Sequence, residues 1–159
     1  MGKGPFRTLT SSLSPPANDQ FMRDDLRRLI LKTGWAPACV VVFHAAVSSL
    51  TAHGRAFDPV MHFLGGAAIA YVLWHATAIF KGWFGDPKPL ARSFIAFCAA
   101  ATVAVFWEFA EFSSGELLGA YSQLSLKETM GDLFMGCLGA GAYLLAAGLM
   151  RRMKPRSGD

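Results

Sequence analysis

Four long apolar stretches, separated by short polar or charged segments, dominate the pattern of the chain. They cover residues 34–52, 59–80, 93–112 and 128–150. A helix that crosses a membrane needs about 20 predominantly apolar residues, and each stretch meets that length. The pattern therefore predicts an all-α membrane protein, a bundle of four transmembrane helices within residues 34–150.

The segments on either side of this domain are polar. Residues 1–33 are predicted to be a cytoplasmic tail, whose first 20 residues are rich in Gly, Ser and Pro and are expected to be flexible. Residues 24–32, "DDLRRLILK", could form a short helix at the membrane surface before the first span. Residues 151–159 form a second, basic tail.

Composition and charge agree with a membrane protein and indicate its orientation. The chain is 53% hydrophobic and 16% charged, whereas soluble domains carry about 25% charged residues. Of 15 Lys and Arg residues, all but Arg55 and Lys127 lie in the two tails or between the second and third spans. Because cytoplasmic segments are enriched in Lys and Arg, both termini are predicted to be cytoplasmic. The net charge of +4 is then a topology signal, and the expected partners are membrane lipids rather than nucleic acid.

Six ionisable side chains are expected near the outer ends of the spans, each pair sharing one helix face at a spacing of three or four residues. They are Asp58 with His62, Glu108 with Glu111, and Glu128 with Asp132. Ionisable groups inside a membrane are costly and usually face each other or a wet cavity. We therefore expect them to share one polar pocket, with His53 and Arg55 of the short outer loop as a cover.

This pocket has the donor chemistry of a divalent metal site. Carboxylates with imidazole suit Zn, Mn or Fe, and carboxylates alone suit Mg or Ca. The predicted ligands are His62, Glu108, Glu111 and Asp132.

Asp58 and Glu128 are the predicted catalytic residues, as a general base or as groups that orient the ligands. Both also fit ordinary helix starts, since Asp58 precedes Pro59 and Ser125 with Glu128 forms a capping-box pattern.

Other polar and small residues have structural interpretations. His44 and His75 are interpreted as structural, and the tryptophans, including Trp107, as anchors at the membrane surface. The small residues of 65–70 and 136–142 predict close packing between helices.

Three motifs resemble the YjdF-like and VanZ-like group of small bacterial inner-membrane proteins over roughly residues 34–150. They are "DPVMHF" (58–63), "WEFAEF" (107–112) and "KETMGDLFMGCLGA" (127–140), with Glu128-Thr129 where YjdF-like proteins often have Asp-Thr. The resemblance implies a polytopic protein of the bacterial inner membrane. VanZ itself is associated with glycopeptide resistance at the cell envelope.

Three functions are compatible with these residues. The first is a metal-dependent enzyme acting at the outer leaflet on a lipid or envelope substrate, with metal-assisted chemistry because no Ser or Cys nucleophile motif is present. The second is a non-catalytic subunit or assembly factor of a larger membrane complex. The third, transport of protons or metal ions, is disfavoured because the acids gather at one end of the spans. The sequence does not decide whether the protein is an enzyme.

Overall fold

The computed structural model describes residues 17–50, 57–119 and 125–153. Over these residues the chain is helical, and no strand occurs among them. The all-α prediction is therefore confirmed. The helices are α1 (Ala17–Thr33), α2 (Trp35–Leu50), α3 (Asp58–Ile79), α4 (Lys81–Phe84), α5 (Pro89–Leu118) and α6 (Leu126–Met153).

Three helices, α3, α5 and α6, are each long and apolar enough to cross a membrane. Within the predicted first span, 34–52, lies α2, whose 16 described residues are about 24 Å long; residues 51 and 52 lie outside the described residues. Helices α1 and α2 are long and apolar enough for one span only when they are taken together, with a bend of 50° between them. The described residues thus contain three helices that could each span a membrane, or four spans when the bent pair is counted as one.

The bend between α1 and α2 falls at Gly34. A Cβ atom on Gly34 would lie 2.7 Å from the Ile30 carbonyl oxygen, so a larger residue does not fit. The Thr33 hydroxyl donates to the Leu29 carbonyl at 2.7 Å, a local bond that often bends helices. The predicted surface helix, 24–32, is therefore part of the longer α1, which begins inside the predicted flexible tail. Residues 1–16 lie outside the described residues.

Helix α3 is the centre of the bundle and packs against α1, α2, α5 and α6. Its tightest contact is with α6, where backbones touch. A Cβ atom on Gly66 would lie 1.9 Å from the Gly136 carbonyl oxygen, and one on Gly139 would lie 1.9 Å from the Phe63 carbonyl oxygen. The predicted packing of small residues is confirmed here, and we call this contact the glycine seam.

The buried core is built largely from small side chains, while most large apolar side chains point outward. Ala70, Ala96, Ala100 and Ala140 pack around Trp74 with Leu144 in the core. In contrast, Phe94 and Leu145 are 69% and 72% exposed. Small residues at helix contacts and large apolar residues outside are what a lipid-facing bundle requires.

The helix starts position the polar residues. Phe57 is the N-cap of α3, and Asp58 is its first residue rather than the predicted cap, so its carboxylate is not used as a cap. The predicted Ser125 cap does accept the Glu128 backbone N–H at 3.2 Å. We call the end of the bundle where α3 and α6 begin and α5 ends the acidic end, and the opposite end the basic end.

Candidate metal centre

His62 lies at the middle of a group of carboxylates contributed by three helices. Its Nδ1 atom is 3.7 Å from Glu108 Oε1. Its Nε2 atom is 3.8 Å from Asp58 Oδ1, one turn earlier in α3, and 3.9 Å from Asp132 Oδ1 in α6. The polar residues of α3, α5 and α6 therefore meet at one level of the bundle.

Two overlapping sets of possible ligand atoms share His62. One set is Asp58, His62 and Asp132, and the other is His62, Glu108 and Glu111; within each set the atoms lie within 4.8 Å of one another. Because the two imidazole nitrogens face different carboxylates, a single ion can use one of these sets but not both in full.

Two carboxylates and the imidazole of this cluster are largely shielded from the surroundings. Glu108 is 4% exposed and Asp132 is 5% exposed, and the His62 side chain is 10% exposed. Four carboxylates around one imidazole repel each other strongly in a medium of low dielectric constant. A bound cation or protons must compensate them.

Each pair formed by His62 and one carboxylate is close enough to share an ion. Two ligand atoms that each lie about 2.1 Å from a metal ion cannot be more than about 4.2 Å apart. The three His62–carboxylate distances, 3.7, 3.8 and 3.9 Å, fall within that limit. Oxygen and imidazole nitrogen donors in this arrangement suit Zn, Mn or Fe, and the carboxylates also suit Mg.

The glycine seam sets the spacing of this cluster. Gly66 lies one helical turn after His62, and Gly136 lies one turn after Asp132. The backbone contact between these two glycines therefore fixes how close α3 and α6 come directly beside the His62–Asp132 pair.

Trp107 has a role in the cluster that its sequence position did not reveal. Its indole Nε1–H donates to Glu111 Oε1 at 3.0 Å, which orients that carboxylate from within the same helix. The sequence predicts a membrane anchor at Trp107, and its spacing of four residues from Glu111 is the signal that points to this bond.

The remaining predicted residues have different positions. Glu128 lies in the first turn of α6, and neither set of ligand atoms includes it. Asp58 belongs to one of the sets. His53 and Arg55, the predicted cover, lie outside the described residues.

Two cavities adjoin the cluster, and Glu111 lines both. The first, of about 210 Å³, lies between α2, α3 and α5 and has mostly apolar walls, with Asp58, His62 and Glu111 on its polar side. The second, of about 480 Å³, lies between α5 and α6 and is also lined by Glu108 and Glu116.

His44 of α2 lines the first cavity. From the sequence alone, His44 has only a structural interpretation. Its spacing from Pro37, Val40 and Val41, which also line the cavity, is that of one helix face and was the signal that could have placed it there.

These features define a polytopic α-helical membrane protein with a buried carboxylate–histidine cluster. Residues 35–153 match the family described as predicted membrane protein (DUF2238), and the chain belongs to this family. It is also 33% identical over 101 residues to a Thermotoga maritima protein described as an uncharacterized protein. That match covers 63% of this chain and 50% of the relative, so the chain spans about half of the relative's length. No solved structure matches the chain. The narrower resemblance to YjdF-like and VanZ-like proteins stays a prediction.

Proposed function

We propose that this chain is a protein of the bacterial inner membrane that binds a divalent metal ion in the His62–carboxylate cluster and acts with it on a lipid-linked substrate of the cell envelope. The excess of Lys and Arg at the basic end supports a cytoplasmic position for that end. The cluster would then lie toward the outer leaflet.

The observation that carries this proposal is the convergence of buried carboxylates from three helices on a single imidazole. Glu108 and Asp132 are almost fully buried, and each lies within 4 Å of a different nitrogen of His62. Burying several carboxylates in a bundle is expensive, and a divalent ion offsets that cost while fixing their geometry.

The shape of the first cavity supports an amphipathic substrate. Asp58, His62 and Glu111 line one part of it, and apolar residues such as Ile69 and Val40 line most of the rest. Its volume of about 210 Å³ is below the roughly 300 Å³ of the smallest usual ligand pockets. It therefore suits a segment of an acyl or prenyl chain, with the polar group of the substrate at the cluster.

The chain's own residues would hold and deprotonate the reacting groups. A divalent ion at the cluster would polarise a phosphoryl or acyl oxygen or activate a water molecule. Asp58, whose carboxylate is partly exposed beside His62, is the better placed of the two predicted bases to accept a proton. Glu128 would act from the rim of the cluster at the start of α6.

The test is the metal content of protein purified in neutral detergent. Wild-type protein, dialysed against a mixture of Zn²⁺, Mn²⁺ and Fe²⁺ and then freed of excess ions, should retain about one ion per chain. Glu108→Gln should lose most of it, because the substitution removes a buried charged donor while preserving shape. Inductively coupled plasma mass spectrometry measures both.

Glu116→Gln is the matched control. Glu116 is an exposed glutamate in the same helix and belongs to neither set of ligand atoms, so its replacement should leave the metal content unchanged. A wild-type protein that retains no ion, or a Glu108→Gln variant that retains as much as wild type, would overturn the proposal.

A further inference from the structure

A second polar cluster lies at the basic end, about 18 Å along α3 from His62. It is centred on Trp74, whose side chain is buried. The guanidinium carbon of Arg92 lies 4.1 Å from the centre of the Trp74 ring, and that of Arg151 lies 5.3 Å from it. Because both distances are measured to the same ring centre, the two guanidinium carbons lie at most about 9.4 Å apart.

One of these arginines has a clear structural role. Arg92 Nε–H donates to the Trp74 carbonyl and the Thr77 hydroxyl, each at 2.9 Å, and its Nη2 also donates to the Trp74 carbonyl. These bonds join the start of α5 to the end of α3. They leave the two Nη1 hydrogens of Arg92 for another acceptor.

Arg151 lacks such an explanation. It is exposed and lies in the last turn of α6 together with Arg152. Both residues complement the helix dipole, but of the two only Arg151 stacks on Trp74. Among the described residues, no carboxylate forms an ion pair with Arg92 or Arg151.

We propose that Arg92 and Arg151, which both lie over the Trp74 ring, bind the phosphate of an anionic lipid headgroup. Two guanidinium groups with no carboxylate partner present a fork of N–H donors that matches phosphate oxygens. Their stacking on one indole reduces the entropy lost when they close on a ligand.

The position of the cluster favours a lipid over a soluble anion. Trp74 lies five residues before the end of α3, which is about 8 Å. Because α3 is about as long as the hydrocarbon core is thick, the headgroup region is expected near that helix end. Large apolar side chains at the same end, Trp83 at 76% and Leu90 at 83% exposure, are suited to contact with lipid. Basic groups between transmembrane helices at this depth are typical binding sites for anionic headgroups.

The test measures lipid binding to the full-length protein in neutral detergent by native mass spectrometry. Phosphatidylglycerol should bind saturably and more tightly than zwitterionic phosphatidylcholine. Arg151→Gln should weaken phosphatidylglycerol binding about tenfold, as expected for the loss of one charge-assisted contact. Arg151→Lys, which keeps the charge but loses the fork, should recover part of that loss.

Arg152→Gln is the matched control, since it removes the same charge from the adjacent exposed position and should change binding by less than about twofold. If Arg151→Gln and Arg152→Gln weaken phosphatidylglycerol binding equally, the effect is due to overall charge, and the proposed binding site is wrong. Unchanged binding in Arg151→Gln would also overturn it. Displacement of the lipid by millimolar inorganic phosphate would show that the cluster binds a soluble anion, and it would contradict the proposal that the ligand is a lipid.

Discussion

Replacing Gly66 by Ala tests whether the glycine seam holds the bundle and the metal centre together. The added methyl carbon would lie 1.9 Å from the Gly136 carbonyl oxygen and 2.7 Å from its carbonyl carbon. Both are backbone atoms, so no side chain can rotate away. Ordinary contacts of this kind are near 3.5 Å, so α3 and α6 must separate by about 1 Å or more.

The adjacent glycine provides the matched control. A Cβ atom on Gly65 meets nothing within 4 Å. Gly65→Ala therefore gains only helix propensity, up to about 1 kcal/mol. Gly66→Ala has the same propensity gain but suffers overpacking, which costs about 1–3 kcal/mol or more. For a chain of this size each kcal/mol shifts Tm by about 2–4 °C, so Gly66→Ala should melt roughly 3–10 °C below Gly65→Ala.

The same separation should weaken metal binding. The His62 Nε2–Asp132 Oδ1 distance is 3.9 Å, and an opening of about 1 Å one turn away would carry it past the limit of about 4.2 Å for two ligands of one ion. Thermal unfolding in detergent, followed by tryptophan fluorescence, gives the stability. Titration with Mn²⁺ or Zn²⁺ gives the affinity.

The result that would refute this reasoning is a Gly66→Ala protein with the Tm and ion affinity of Gly65→Ala. It would mean that the backbones of α3 and α6 are not in contact at Gly66. A lower Tm with unchanged ion affinity would support the backbone contact at the glycine seam but show that this contact does not set the geometry of the cluster.

Three further substitutions have definite expected outcomes. Trp107→Phe keeps the ring but removes the donor to Glu111, so ion affinity should fall about tenfold in a metal titration, as for other groups that orient ligands; an unchanged affinity would show that this bond does not position the carboxylate. Arg92→Ala removes the bonds to Trp74 and should destabilise the protein by about 3 kcal/mol in thermal unfolding, whereas a Tm equal to wild type would contradict the role of these bonds in joining α5 to α3. Glu128→Gln should retain the wild-type metal content, since neither set of ligand atoms includes this carboxylate; loss of the ion would make it a ligand.

The spans could be predicted from the sequence because a membrane helix depends mainly on a long run of apolar residues. The bounds of α3, α5 and α6 enclose or nearly match the predicted second, third and fourth spans. The bend at Gly34 between α1 and α2 could not be predicted. It depends on the local backbone at one residue, which the apolar pattern does not specify.

The convergence of the acids could also be predicted, because antiparallel helices of known direction fix the depth of each residue. Depth does not fix the rotation of a helix about its axis. For that reason the sequence did not reveal that the two nitrogens of His62 face different carboxylates, or that His44 lines the same cavity as His62.

The cluster at Trp74 was beyond sequence reasoning for a related cause. Trp74, Arg92 and Arg151 are far apart in the chain, and each has an ordinary interpretation alone, as an aromatic or basic residue near the membrane surface. Their contact depends on the crossing of α3, α5 and α6, which the hydrophobic pattern does not specify.

The most direct measurement of the central claim is anomalous X-ray diffraction from crystals of the wild-type protein grown with Mn²⁺ or Zn²⁺. The proposed function predicts one strong anomalous peak inside the bundle at the level of His62, about 2.0–2.2 Å from one imidazole nitrogen and from carboxylate oxygens of two helices. The proposed function would be contradicted by crystals grown with the ion whose only anomalous peak lies at surface carboxylates, with Glu108 and Asp132 turned away from His62.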